Sequence, residues 1–446
     1  MKAPPEVRRP GLVSGLAARL RSSGPAETTW EGVRYCLVVF LAVRIGLAIL
    51  ALTAMGTLPH VVTPVSPPGW PSPPYTGSSL HLLVTAWERA DGLWFLRIAA
   101  GGYGASDGSA AFFPLYPLAI RALSWLVGGH PLPAALLVSN LSFLGALIVM
   151  YGLTKREFSV PVARTSVLVL ALFPASFFFF APLSESLFLL LVLGSFAAAR
   201  SRRWVVAGVL GALAAATRIV GIVMVAALAA EAVHQFVEAR RGAWTDGALL
   251  HGSRAGGPVL PGRPGHARTT PADTGVARLA ATLACALLPA AGFVAYLAYW
   301  AARTGDWLAP LHAEQRWQRI REPPWQTIGR ATREAFASPG TYPGGYQFVD
   351  WLIVIPCLLA AVYVAWAFRP GYSVYTWASL LAPLTLIFPP RALMSDPRFV
   401  LPAFPIFWVG AVLIERGKLS RTAVLAVSAA GLALLTSLFV SGYYIF

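Results

Sequence analysis

The chain has 446 residues, of which 57% are hydrophobic and only 12% are charged, and its mean hydropathy is +0.63. Several stretches exceed the length needed to cross about 30 Å of hydrocarbon, so the sequence predicts an integral membrane protein and not a soluble enzyme. The net charge of +16 does not indicate nucleic-acid binding, because Lys and Arg cluster beside apolar runs, as they do in cytoplasmic loops. The three cysteines and seven histidines show no disulfide or metal-ligand spacing, so we expect no metal or other cofactor.

The N-terminal part of the chain leads from the cytoplasm to an external segment. Residues 1–32 are basic and place the N-terminus inside, and the first span covers about 33–56. The segment that follows, 57–130, is expected outside and carries the catalytic residues discussed below. Within it, 79–100 is amphipathic and 112–127 is apolar but short, so both are expected to form helices at the membrane surface.

Apolar and basic segments alternate through the rest of the chain. Residues 238–278 are rich in Arg, Gly and Pro and predict a disordered cytoplasmic linker, whereas 302–346 is expected to form a second external loop. We therefore predict that 33–446 is one all-α membrane domain of about eleven helices. The ten spans after the first are expected at about 131–153, 163–180, 185–199, two short helices within 204–236, 279–301, 348–368, 373–388, 399–414 and 421–443.

The first external segment contains a carboxylate within an aromatic stripe. In WERADGLWFLRIAAGGY, the residues Trp87, Asp91, Trp94, Phe95 and Ile98 are spaced so that one helix would carry them on one face. An acid is costly in such surroundings unless it has a partner or a task. Asp91 is therefore a candidate catalytic residue, although it could also cap a turn or pair with Arg89.

Further charged residues are expected at the external ends of the spans. Glu185 lies at the turn between spans three and four, and Arg218 lies between two apolar runs. Arg398 begins span ten, while Trp317 and Arg319 lie on the second external loop. Each has an ordinary alternative, since Glu185 could complement a helix dipole, Arg218 could snorkel to the surface, and Arg398 could pair with a neighbouring acid.

These side chains together suit one class of reaction. An acid can accept a proton from an attacking hydroxyl. Two arginines at the membrane face can neutralise a phosphate leaving group, and aromatic side chains suit sugar rings and isoprenoid chains. An inverting glycosyl transfer needs a single carboxylate base. The residues thus favour transfer of a sugar from a lipid phosphate to a hydroxyl.

Six motifs lie between about residues 85 and 410, in the order ADGLWFLRIAAGGY, AFFPLYP, LFPASFFFFAPLSESLFLLL, WVVAGVLGALAAATRIVGI, TGDWLAPLHAEQRWQRIREPPW and DPRFVLPAFPIFW. In content and order they resemble those of the GT-C superfamily of polytopic glycosyltransferases, and most closely the PIG-V-like mannosyltransferase family. The family usually has an aromatic residue where this chain has Ala90, and it often reads Tyr-Thr-Glu-Ser where this chain has 183–186. The high Ala, Arg, Gly and Pro content is typical of a bacterial member.

The resemblance implies a function for each candidate residue. Asp91 would be the catalytic base, Arg218 and Arg398 would bind the donor phosphate, and Glu185 would orient sugar or acceptor hydroxyls. The donor would be a polyprenyl-phosphate mannose, used without a metal on the outer side of a bacterial plasma membrane. The acceptor would be a hydroxyl of a glycolipid, a polysaccharide or a protein. The remaining residues expected to contact sugar or acceptor are Arg89, Trp94, Tyr103, Phe113, Tyr116 and Trp317.

Two alternatives to an enzyme remain open at this point. A flippase or transporter of lipid-linked sugars would need polar residues along a path through the membrane. Few polar residues lie within the spans, with Asn140 the clearest, and the absence of an internal repeat disfavours an inverted-repeat transporter. A non-catalytic membrane scaffold would tolerate replacement of Asp91.

Overall fold

The protein is a helical bundle, seen in a computed structural model that describes residues 28–61, 66–71, 73, 77–104, 107–252, 271–314, 318–341 and 344–443. Its helices are α1 (Thr29–Thr57), α2 (Ser79–Thr85), α3 (Gly92–Gly101), α4 (Leu115–Ser124), α5 (Pro131–Glu157), α6 (Val160–Ala171), α7 (Glu185–Arg200), α8 (Trp204–Ala215), α9 (Met224–Gly252), α10 (Pro271–Ala286), α11 (Leu288–Thr304), α12 (Ala309–Glu314), α13 (Pro324–Ala337), α14 (Gly344–Ala367), α15 (Pro370–Leu381), α16 (Asp396–Phe399), α17 (Pro405–Glu415) and α18 (Arg421–Val440).

Local sequence signals explain where several helices begin. The α1 helix begins with a capping box, in which the Glu31 amide donates to Thr28 Oγ1 and the Thr28 amide donates to the Glu31 carboxylate. Proline occupies one of the first two positions of α5, α6, α11, α15 and α17. Proline is tolerated there because the first amides of a helix have no partner within it.

Six segments of the described chain are long and apolar enough to cross a membrane. They agree with the expected all-α membrane protein, and α6, α8 and α17 are shorter apolar helices. The expectation of about eleven full spans stays a prediction. The six segments are Thr29–Thr57, Pro131–Glu157, Ile219–Arg241, Gly275–Thr304, Gly345–Ala367 and Arg421–Val440.

Three expected spans are broken rather than continuous. The third, expected at 163–180, is helical only to Ala171, because Pro174 follows and the chain turns through a short 3₁₀ helix at Ser176–Phe179. The ninth ends at Leu381 before Pro383, and the tenth begins its main helix at Pro405. A helix of twelve residues is about 18 Å long, so these helices are too short to cross the hydrocarbon alone.

The segment expected as a disordered linker, 238–278, is helical at both ends. Helix α9 continues to Gly252, and α10 begins at Pro271. The expectation is therefore wrong for these parts, because the helical signal of the flanking apolar runs extends into the polar sequence. Residues 253–270 lie outside the described part of the chain.

The expected aromatic face between Trp87 and Ile98 is interrupted by a turn. Ala90 has φ of 50°, a left-handed conformation, and α3 begins only at Gly92. Trp87 therefore does not share a helix face with Trp94. It is fully buried instead, with its ring 5.1 Å from the Arg44 guanidinium. The amphipathic segment 79–100 accordingly forms two short helices, α2 and α3.

A small antiparallel strand pair joins the second external loop to the segment before α16. Strand β1 (Ile320–Arg321) pairs with β2 (Leu386–Ile387), and the Glu322 amide extends the pair by donating to the Thr385 carbonyl. The pair fixes residues of the loop beside the chain segment that contains Arg398.

Candidate functional site

Asp91 lies at the start of α3 with its carboxylate turned away from the helix. It occupies the N-cap position, yet its side chain makes no capping hydrogen bond. Its Oδ2 instead accepts a hydrogen bond from Nη1 of Arg398, and 36% of the side chain is exposed. A Cβ at Gly92 would lie 3.0 Å from Pro182, so glycine permits close contact with the turn before α7. The Asp91 side chain is thus paired with Arg398 and does not cap α3.

Glu185 joins the two arginines that were expected to bind phosphate. It is the first residue of α7 and is fully buried. Its Oε1 accepts from Nη1 of Arg218 and from Nε of Arg398, and Arg218 Nη1 also donates to Ser184 Oγ at 3.1 Å. Its Oε2 has no hydrogen-bond partner among the described residues. Asp91, Arg398, Glu185 and Arg218 thus form one connected chain, here called the charged cluster.

Arg218 occupies a turn, as the sequence predicts, but of the two helices expected to be short only α8 is short, because α9 extends from Met224 to Gly252. Helix α8 ends at Ala215, Arg218 is extended, and a 3₁₀ helix follows at Ile219–Val223. A Cβ on Gly221 would lie 2.5 Å from backbone atoms of Ala215, so only glycine fits this turn. The Ala216 carbonyl accepts from the Leu115 amide at 3.0 Å, which ties the turn to the first external segment.

Arg398 is held in a buried position by the short helix α16. The residue is 7% exposed, and its guanidinium carbon lies 5.5 Å from the centre of the Phe178 ring. It contacts Asp91, which is 307 positions away in the sequence, and Glu185, which is 213 positions away. The neighbouring-acid alternative for Arg398 is not what the structure shows, since its ion pairs are with these two carboxylates.

A cavity of about 840 Å³ opens beside the charged cluster. Asp91, Arg218 and Arg398 line it, whereas Glu185 lies behind the two arginines and is not among the described lining residues. The Trp94 and Phe112 rings stack with centres 5.4 Å apart, and Phe95 meets Phe112 edge-on at 5.2 Å. An aromatic wall therefore stands beside the carboxylate, as the sequence predicts.

The other residues expected to contact sugar or acceptor divide into two groups. Arg89, Trp94 and Phe113 line the cavity. Tyr103 and Tyr116 are not among the described lining residues: the Tyr103 hydroxyl donates to the Phe112 carbonyl at 2.7 Å, and the fully buried Tyr116 hydroxyl bonds to Ser139 Oγ at 2.7 Å. Both tyrosines support the wall from behind, because their hydroxyls are used within the protein. Trp317 lies outside the described residues.

The second external loop contributes cationic residues that the sequence only partly indicates. Arg319, expected on the external side, lines the cavity together with Arg321, which was not expected there. Arg319 donates to the Leu386 carbonyl at 3.1 Å and to Ser395 Oγ at 3.4 Å. The basic run RWQRIRE is the one signal in the sequence, but it does not reveal the strand pair that brings these residues to the cavity.

Asp396 is a buried acid beside this cationic part of the site. Burial raises the pKa of Asp396 to about 8, and the charge of Arg319 opposes the rise. At neutral pH the side chain is therefore mostly protonated and offsets little of the positive charge of Arg319. No group of three His, Cys, Asp or Glu residues in the described part of the chain is placed to hold a metal ion.

Comparison with known protein families finds a match over slightly less than half of the chain. Residues 37–241 match the family model described as Mannosyltransferase (PIG-V), which confirms the resemblance over those residues. Comparison with curated proteins gives no match. The family match supports glycosyltransferase activity, and the apolar helices support a multi-pass membrane protein.

Solved structures similar to this chain include ArnT and an archaeal oligosaccharyltransferase. ArnT from Cupriavidus metallidurans, bound to undecaprenyl phosphate, is 15% identical with a TM-score of 0.47, and the match covers 92% of this chain and 76% of ArnT. The Archaeoglobus fulgidus oligosaccharyltransferase is 13% identical with a TM-score of 0.40, and 90% of this chain matches 53% of it. The chain thus spans about half the length of the archaeal protein.

Proposed function

Because residues 37–241 match the PIG-V mannosyltransferase family, we propose that the chain transfers mannose from a polyprenyl-phosphate mannose to an acceptor hydroxyl. One observation supports the proposal most strongly. The Asp91 carboxylate lines the cavity beside Arg218 and Arg398, and the buried Glu185 accepts hydrogen bonds from both arginines. A base next to a phosphate-binding pair is what glycosyl transfer from a lipid phosphate requires.

The two arginines of the charged cluster bind the donor phosphate. The hydrogen bonds within the cluster use Nη1 of Arg218 and both Nε and Nη1 of Arg398. Among the described residues, Nε and Nη2 of Arg218 and Nη2 of Arg398 donate no side-chain hydrogen bond within the cluster, and these groups contact the phosphate oxygens. Guanidinium groups match phosphate geometry and stay charged at any physiological pH. They supply the positive charge that a divalent cation supplies in other transferases, so the reaction needs no metal.

Asp91 acts as the base in a single displacement. The acceptor hydroxyl attacks the anomeric carbon while its proton passes to Asp91, and the bond between that carbon and the phosphate oxygen breaks. The electron pair leaves with the phosphate, whose charge Arg218 and Arg398 stabilise. One displacement inverts the anomeric configuration. Glu185 is a positioning residue, since it contacts both arginines and does not line the cavity.

The walls of the cavity suit the rest of the donor. The stacked pair Trp94 and Phe112 offers a flat surface for the sugar ring, while Val220, Ile222 and Val223 line the cavity near Arg218 and suit an isoprenoid chain. The C-terminal ends of α5 and α7 carry Glu157 and Arg200, which pair with each other. That charged end fits the cytoplasmic side, which supports our proposal that the cavity faces the outer side of a bacterial plasma membrane.

The test is label transfer by purified protein in lipid vesicles. Wild type is incubated with radiolabelled polyprenyl-phosphate mannose and a membrane lipid extract, with and without EDTA, beside Asp91→Asn and Asp107→Asn. Asp107 is a matched control, because it lies on the same external segment and pairs with Arg97 but does not line the cavity. We expect EDTA-resistant transfer by wild type and Asp107→Asn alone. Movement of the donor across the bilayer without any transfer would contradict the proposal and favour a flippase.

A further inference from the structure

We propose that Arg319, supported by Arg321, makes a second contact with a phosphate ester of the substrates. The two arginines lie on a wall of the cavity separate from the charged cluster. The inference extends the proposed function, since it names a residue that recognises substrate in the same cavity. Both arginines come from the second external loop and line the cavity. Neither belongs to the apolar spans that supply Arg218.

The charge of the charged cluster is already balanced within itself. Its two carboxylates offset its two guanidinium groups, and all four side chains are linked by hydrogen bonds. The cluster therefore offers local hydrogen bonds to the donor phosphate but adds little net charge that would draw an anionic substrate into the cavity from a distance. The cationic residues on the cavity wall outside the cluster supply the excess positive charge that attracts an anion.

Arg319 is held rigidly by neutral groups. Its Nη1 and Nη2 donate to the Leu386 carbonyl and to Ser395 Oγ, and no carboxylate among the described residues forms a salt bridge with it. Its guanidinium carbon lies 5.9 Å from the centre of the Phe399 ring, and that of Arg218 lies 5.6 Å from the same centre. Neutral acceptors orient the guanidinium, and the buried Asp396 beside it offsets little of its charge at neutral pH, which is the arrangement expected of a preorganised anion site.

The strand pair explains why the loop can supply such a residue. Ile320 pairs with Ile387 and Arg321 with Leu386, so the backbone directly after Arg319 is fixed. Gln318, directly before it, has φ of 54°, a conformation that costs free energy and redirects the chain at the cavity wall. A site built on paired strands is positioned more accurately than one on a free loop.

The ligand chemistry is a phosphate ester, which can come from the donor or from an acceptor lipid. The experiment measures binding of undecaprenyl phosphate, and separately the KM for polyprenyl-phosphate mannose and for the acceptor extract. Wild type in lipid nanodiscs is compared with Arg319→Gln and Arg321→Gln. Arg121→Gln is the control, because this exposed arginine lies on α4 of the external segment and does not line the cavity.

We expect Arg319→Gln to weaken one of these quantities by about tenfold, the effect of losing a hydrogen bond to a charged group. Weaker undecaprenyl phosphate binding would assign the contact to the donor, and a raised KM for the extract alone would assign it to the acceptor. Arg321→Gln, at an exposed position that leaves the fold intact, should give a smaller loss in the same quantity. Unchanged values for both variants would overturn the proposal. Arg319-dependent lipid phosphate binding without any transfer would support this site while contradicting the proposed function.

Discussion

Replacing Glu185 by Gln should destabilise the protein and misplace both phosphate-binding arginines. Glu185 is fully buried, and one of its oxygens accepts from Arg218 and Arg398 together. Gln keeps the shape and one acceptor oxygen but removes the negative charge. The charged cluster then carries one uncompensated positive charge in a buried position, which costs more than the loss of an exposed ion pair.

The expected cost follows from the burial of the pair. Removing one partner of a buried ion pair costs about 3–5 kcal/mol, because the remaining charge is left without compensation. The Glu185 and Arg218 side chains are 0% and 13% exposed, so little screening by solvent reduces this value. A misplacement of about 1 Å at the reacting centre lowers the rate roughly 10²-fold. We therefore expect Glu185→Gln to lose both stability and activity per folded molecule.

The assay combines the free energy of unfolding in mixed micelles with the transfer rate per folded molecule. Asp350→Asn is the matched control, because Asp350 is also fully buried and pairs with Arg391 at 2.6 Å, but does not line the cavity. The control should lose comparable stability while keeping its transfer rate per folded molecule. Equal loss of rate in the two variants would show that Glu185 has only a structural function.

A double-mutant cycle tests the contact itself. The combined variant Glu185→Gln with Arg218→Gln should be less destabilised than the sum of the two single variants, with a coupling free energy of about 3 kcal/mol, the upper end for residues in contact. Additive effects, within about 0.5 kcal/mol, would refute the contact between these two side chains.

Three further substitutions have definite expected results. Tyr116→Phe should cost about 1 kcal/mol of stability and leave the transfer rate unchanged, since the hydroxyl bonds to Ser139 inside the protein; a lost rate would place Tyr116 in contact with substrate. Burial raises the pKa of Asp396 to about 8, above its unfolded value of about 3.9, so the stabilisation from the neutral carboxyl is present at low pH and is lost as the pH rises to 8. In Asp396→Asn the fall in unfolding free energy between pH 5 and pH 9 should be smaller, and an unchanged profile would contradict the burial of this acid. Gly221→Ala should destabilise by about 1–3 kcal/mol and weaken undecaprenyl phosphate binding, because its Cβ would meet the Ala215 backbone; unchanged binding would refute the dependence of the Arg218 turn on glycine.

Those parts of the fold that depend on hydrophobic runs could be predicted from the sequence. The turn at Arg218 is an example, since a charge between two apolar runs is stable at a helix end near water but costly inside the membrane. The helices beside Asp91 could be located only roughly. The periodicity of Trp87 to Ile98 indicates one helix, but Ala90 adopts a left-handed conformation that periodicity does not detect.

The contacts within the site could not be predicted, because they join distant parts of the chain. Asp91 and Arg398 are 307 positions apart, and their ion pair depends on how the first external segment packs against the residues before α17. The strand pair that carries Arg319 has two residues in each strand, too few for an alternating pattern to be visible. The sequence indicates which residue types suit the chemistry, whereas only the fold shows that Glu185 lies behind the arginines.

The most direct measurement compares single-turnover mannose transfer with donor binding in wild type and Asp91→Asn. General base catalysis contributes about 10²–10⁴-fold to a rate, so Asp91→Asn should bind polyprenyl-phosphate mannose but transfer its sugar at least about 10²-fold more slowly. Donor binding should persist, because Arg218 and Arg398 keep their contacts with Glu185. Transfer by Asp91→Asn at the wild-type rate, with donor bound, would contradict the assignment of Asp91 as the base.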